Sequence, residues 1–155
     1  MQKFGGTSVG TTERIQSVAK KVAGFKAQGH DIVVVVSAMS GETNRLLSLS
    51  ADISEEPDER ELDVLLSTGE QVTISLLSMA LKELGLQAKS YTGSQVKILT
   101  DNKYGKARIL EIDERNVPKD FSSGRAVVVA GFQGVDRGGN ITTLGRGGAD
   151  TTPVA

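Results

Sequence analysis

Cysteine is absent from the 155 residues, so disulfides, thiolate metal sites and cysteine nucleophiles are excluded. Histidine occurs once, as His30, just past the expected end of a helix. Metal sites need several converging donors, so His30 reads as a loop residue. No apolar run approaches the roughly 20 residues of a membrane span, and no signal peptide opens the chain. Neither sign of charge prevails: 18 basic residues face 19 acidic ones, a net charge of -1, which leaves no footprint for nucleic acid or a membrane surface. The expectation is a soluble cytoplasmic protein.

What is present suffices for one domain. Hydrophobic residues make up 38% and charged residues 24%, enough apolar material for a core and too little charge for a disordered chain. Met1 to Phe4 reads as the end of a strand, followed by a Gly-Gly turn and a polar loop. Ile15, Val18, Ala19, Val22 and Phe25 fall on one stripe of a helix over 12–28, which Gly29 stops. The β-branched run Asp31–Ser37 lacks alternation, the mark of a parallel strand buried on both faces. Strand, helix and strand with short connections form a βαβ unit.

The pattern continues with a short helix over Glu42–Leu49 and an acidic stretch, Asp52–Glu61, in which Pro57 suits a first helical turn. Leu62–Leu84 is helical in period, with Ser67-Thr68-Gly69-Glu70 as an interruption. Strands are expected over Gln87–Thr92, Ala107–Ile112 and Ala126–Phe132. The fold class expected is α/β.

Four polar loops carry the candidate chemistry. Gly5-Gly6-Thr7-Ser8 follows a strand and precedes a helix. It can be a plain tight turn, or a phosphate cradle built from backbone N–H groups, a helix N-terminus, two hydroxyls and the charge of Lys3. It is neither a Walker A loop nor the dinucleotide fingerprint. Ser37 to Thr43 leaves the valine strand, where ligand sites of parallel sheets gather; Ser40 or Thr43 could instead be a helix N-cap. Gly69 within a helical pattern costs about 1 kcal/mol relative to alanine. Either a kink aims Glu70 into a pocket or the segment is a helix–helix turn. In Thr142 to Asp150, Arg146 offers a bidentate fork for a carboxylate or phosphate. Asp150 can cap a helix from Thr151, hold a catalytic lysine or help order a metal. Together the loops offer groups for phosphate, carboxylate and ammonium. That set suits phosphoryl transfer to an amino acid, which depends on positioning and charge compensation and not on a nucleophilic triad.

Lys3-Phe4-Gly5-Gly6-Thr7-Ser8-Val9, Val36 to Asn44, Ser67-Thr68-Gly69-Glu70, Gly131-Phe132-Gln133-Gly134 and Thr143 to Gly148 occur in an order that resembles aspartate kinase, of the amino-acid kinase superfamily, over essentially the whole chain. The resemblance implies a three-layer αβα sandwich around a mainly parallel sheet. It implies transfer of the ATP γ-phosphoryl group, with Mg²⁺ bound through the nucleotide, to the side-chain carboxylate of L-aspartate, on the route to lysine, threonine and methionine. By motif, Lys3, Gly5 and Gly6, with Thr7 and Ser8, would hold the phosphoryl group; Ser37 and Thr43 would line the aspartate pocket. Glu70 would meet the substrate ammonium, Arg146 its α-carboxylate, and Asp150 would organise the cationic groups around the phosphates. No protein-held metal is expected. The partners implied are aspartate and ATP, with no nucleic acid or membrane, and either a homo-oligomer or association with the rest of the enzyme.

Two residues depart from the family pattern. Ala149 stands where the family carries an aspartate-binding serine, a loss on the order of 0.5–1.5 kcal/mol for one hydrogen bond. Pro153 is tolerable only in a first helical turn. The family's catalytic domain is also longer. The chain therefore reads as the N-terminal, substrate-binding part of that domain (1–155), without the nucleotide-binding remainder or the ACT regulatory domains. The alternative functions are a catalytically incomplete aspartate- or anion-binding or assembly fragment, and a kinase acting on glutamate or N-acetylglutamate.

Overall fold

A computed structural model describes residues 1–113, 115 and 117–145. Four strands, β1 (Gln2–Phe4), β2 (Val33–Val36), β6 (Ala126–Ala130) and β3 (Ala88–Tyr91), form an all-parallel sheet in the order β1-β2-β6-β3. The unalternated valines have two-sided burial as their reason. Val34, Val36 and Val128 face the core built by helices α1 (Thr12–Ala27) and α3 (Glu59–Glu83). Val35, Val127 and Val129 face a second core with Tyr91, Val96 and Ile98, against which Val117 and Phe121 pack.

The third layer was only partly expected. It consists of the short helix α4 (Val117–Ser122) with β5 (Ile109–Ile112) and β4 (Ile98–Thr100) of a second sheet, which continues through β7 (Gln133–Val135) to β8 (Ile141–Thr143), the last two bonded to α3. β7 and β8 are an antiparallel hairpin. These three-residue strands are too short to show a period in sequence. Ala107, expected at the start of a strand, instead makes a separate parallel bridge to Leu144.

Local chemistry explains most helix ends. Thr11 caps α1 by accepting from the Arg14 amide at 3.2 Å, and Gly29 follows the helix at φ 89°. Phe25, read as a core residue, is 43% exposed; it lies past Val22, the last buried residue of α1, with its ring 6.4 Å from that of His30. Helix α2 runs on to Ile53 (Glu42–Ile53). Pro57 lies just outside α3, not in its first turn, because Asp58 takes the cap position and accepts from the Glu61 amide at 3.0 Å.

The largest difference from expectation is α3 itself, one unbroken helix of 25 residues with no interruption at Ser67–Glu70. Its buried stripe, Asp63, Ser67, Glu70, Ile74, Leu77 and Leu81, keeps the 3-and-4 spacing throughout. Only its polarity changes half-way, and that change looks like a break in sequence. By length and composition α3 could cross a membrane, but it is the core helix of this domain, packed on the sheet through Ile74, Leu77 and Leu81.

Three substitutions test this packing by urea unfolding. Leu77 is fully buried, so Leu77→Ala is expected to cost about 2–5 kcal/mol. A Cβ on Gly93 would lie 2.2 Å from the Gln133 carbonyl oxygen, a backbone atom. Gly93→Ala should therefore cost about 3 kcal/mol as an overpacking change. Met79→Ala, on a side chain 61% exposed, should stay within about 0.5 kcal/mol of wild type.

Candidate active site at the carboxyl edge of the parallel sheet

Because β1, β2 and β6 are parallel, the loops that leave them emerge at one edge, where α/β sheets bind ligands. Backbone bonds tie these loops together. The Ser37 amide donates to the Phe4 carbonyl at 3.2 Å, and the Gly131 amide to the Val36 carbonyl at 3.0 Å. The first two loops interlock closely: a Cβ on Gly6 would sit 2.9 Å from the Ala38 carbonyl oxygen, and one on Gly10 3.1 Å from the Ser40 Cβ. Within the first loop, Ser8 N–H donates to the Gly5 carbonyl at 2.9 Å, and Arg14 Nη1 to the Thr7 carbonyl at 2.6 Å. Gly5, Thr7 and Ser8 are exposed there, as is Lys3 on β1.

Ser37, Ala38, Thr43, Leu66, Glu70 and Phe132 line a cavity of about 230 Å³, below the roughly 300 Å³ at which pockets for drug-sized ligands begin. Three expected substrate residues, Ser37, Thr43 and Glu70, therefore share one cavity. Glu70 reaches it from an unkinked helix. Gly69 serves instead to let α3 approach the second loop: a Cβ there would lie 3.0 Å from the Ala38 Cβ. Neither Ser40 nor Thr43 caps α2. Gly41 occupies that position at φ 81°, with no side-chain cap bond. The positive end of the α2 dipole thus lies beside Thr43 without a capping side chain.

Glu70 is 3% exposed. Its Oε2 accepts from the Phe132 amide at 3.1 Å and from Gln133 Nε2 at 3.2 Å. Oε1 is buried with no hydrogen-bond partner among the described residues. Desolvation pushes its pKa from the ordinary 4.5 up to about 7, against the pull of the Phe132 and Gly131 amides and the Gln133 side chain. A buried carboxylate with one oxygen unpaired is a receptor for a cation or a strong donor. Gln133, 2% exposed, also donates to the Ser67 carbonyl at 3.1 Å. The motif containing it was visible in sequence, but its grip on Glu70 was not.

Arg146, Ala149, Asp150 and Pro153 lie outside the described residues. Among the described residues no group of three or more His, Cys, Asp or Glu side chains could hold a metal.

The model of the amino acid kinase family matches residues 2–155. The chain belongs to that family. It is similar to an aspartate kinase of Stutzerimonas stutzeri, 68% identical over all of this chain and 38% of that protein. It also resembles the crystal structure of an aspartate kinase from Synechocystis, with 49% identity, a TM-score of 0.81, and coverage of 99% of this chain and 25% of the other. Its fold is shared, at 24% identity and a TM-score of 0.78, by E. coli aspartokinase III in complex with aspartate and ADP, with 96% of this chain and 44% of that chain covered. The chain spans 38% of the length of the curated relatives it matches.

Glu70 gives stability a pH signature. Its folded pKa of about 7 lies above the ordinary 4.5, so the folded state binds more protons between those values. Its contribution is complete below pH 4.5 and is lost as pH rises through 7. Glu70→Gln mimics the protonated form. Relative to wild type it should gain on the order of 3 kcal/mol between pH 4.5 and 8, read as the pH-dependent difference in urea midpoints.

Proposed function

We propose that the chain is the substrate-binding part of an aspartate kinase. The complete, cytoplasmic enzyme would transfer the γ-phosphoryl group of ATP to the side-chain carboxylate of L-aspartate, giving 4-phospho-L-aspartate for amino-acid biosynthesis. The observation that carries the reading is the buried, half-satisfied Glu70 on a cavity of amino-acid size with Ser37 and Thr43. The similarity to aspartate kinases over the whole chain supports the same choice of acid.

In this reading Glu70 Oε1 accepts from the substrate ammonium, a charge-assisted bond to a carboxylate that is itself buried. The hydroxyls of Ser37 and Thr43 and the uncapped start of α2 suit a carboxylate. Arg146 takes the α-carboxylate. Lys3 and the backbone of Gly5 and Gly6, with Thr7 and Ser8, face the phosphoryl group and offset the repulsion between two anions as they meet. Asp150 orders the cations around it. Mg²⁺ carried by the nucleotide would supply neutralisation of its phosphate charge. The nucleotide site lies in the remaining length that the relatives possess. The aspartate carboxylate is itself the nucleophile, so these residues position and compensate charge without forming a covalent bond.

Coupled measurement of ADP release by the full-length enzyme is expected to show turnover with aspartate well above that with glutamate or N-acetylglutamate. A preference for either of those acids overturns the assignment. Calorimetry supplies a second prediction. An ammonium pairs with ionised Glu70, which in the free protein is protonated below about pH 7. Aspartate affinity should therefore rise as pH climbs from 5.5 to 7.5 and then level off, whereas Glu70→Gln should bind weakly and without that slope.

A further inference from the structure

The stripe of α3 that carries Glu70 begins two turns earlier with groups that touch no part of the cavity. Asp63 is fully buried. Its Oδ2 accepts from the Thr143 amide at 2.8 Å, and its Oδ1 from the Thr143 hydroxyl at 2.6 Å. Both oxygens also accept from the Gly105 amide at 3.0 Å. One turn towards the start of α3, Arg60 Nε donates to Asn140 Oδ1 at 3.1 Å, at the tip of the β7–β8 hairpin. One turn further along, Ser67 and Glu70 hold Gln133 and Phe132 at its base. The hairpin is thus fastened to one face of α3 by polar bonds at its tip and on both strands of its base, where Thr143 pairs with Gln133. Asp63 holds the residue that ends β8.

We propose that Asp63 is a positioning residue for the amino-acid substrate. By fixing Thr143, the strand partner of Gln133, against the helix that presents Glu70, it sets where Gln133 and Phe132 hold the carboxylate that takes the ammonium. This inference rests on the kinase reading above. A carboxylate suits the task because it accepts from all three donors at once without supplying a donor of its own. An asparagine of the same shape would set an amide N–H₂ against backbone N–H groups.

The test is steady-state kinetics on the full-length enzyme with Asp63→Asn, Thr143→Val and Thr143→Ser, each checked for folded fraction. Thr143→Val removes only the hydroxyl bond. It is expected to raise the KM for aspartate about 3- to 10-fold, the effect of one lost hydrogen bond. Asp63→Asn should raise it more than about 10-fold. The KM for ATP and kcat should stay within about twofold in both, and Thr143→Ser should match wild type. If Asp63→Asn does not fold, the comparison of Val with Ser at 143 decides. An unmoved aspartate KM in folded Thr143→Val, or losses that only track the folded fraction, overturns the role of Asp63 and leaves the kinase reading standing. A wild-type enzyme that does not phosphorylate aspartate overturns both.

Discussion

Helix α3 is much longer than the sheet it packs against. Its 25 residues span about 37 Å at 1.5 Å per residue, whereas a four-residue strand covers about 13 Å. The helix runs back from the carboxyl edge of the sheet to the start of β3, so its second half lies on the sheet and its first half projects past the strand ends. Where it lies on the sheet, its buried stripe is Ile74, Leu77 and Leu81; where it projects, the stripe is Asp63, Ser67 and Glu70. The projecting half has the β7–β8 hairpin and the loops for neighbours. Those neighbours present backbone N–H groups that need acceptors. Apolar side chains there would leave the donors unpaired, at roughly 1–3 kcal/mol each. The position of the hairpin, and with it one wall of the cavity, follows from this overhang.

Within that frame Glu70 is held in an electrostatically poor state on purpose of place. Three donors favour its anion, yet burial outweighs them and leaves the carboxyl titrating at about 7. An oxygen without a partner inside a folded protein is a cost that a bound donor can remove. The same burial that weakens the free carboxylate strengthens its pairing with an ammonium, because little water remains to screen it.

The glycines around the cavity act mainly through proximity. Gly6, Gly10 and Gly69 each allow one segment to lie within contact of the Ala38–Ser40 loop. The first loop, the second loop and α3 thereby form one interlocked wall. A Cβ at Gly6 would press on backbone, which yields far less readily than a side-chain tip. Gly41 is different: its φ of 81° belongs to the left-handed region that glycine tolerates, and it starts α2 without a side-chain cap.

Some of this was readable from residues alone. The apolar stripe of α1 and the doubly buried valines of β2 and β6 rest on local patterns, because periodicity is written along the chain; the grouping of Ser37, Thr43 and Glu70 was implied by the family resemblance. The β7–β8 hairpin and β4 were not readable, since three-residue strands carry no period and owe their form to partners far away in sequence. The supposed break at Ser67–Glu70 was a change of polarity along a continuous stripe, visible only once the sheet edge beneath it was known. The roles of Asp63 and Gln133 were equally hidden. Their bonds join residues more than forty positions apart, and nothing local distinguishes a buried carboxylate that anchors a hairpin from a solvated one on a helix. The sequence determined which elements form and which loops carry polar chemistry; the tertiary structure alone decided how far α3 overhangs the sheet, and hence which of its polar residues are buried and what they hold.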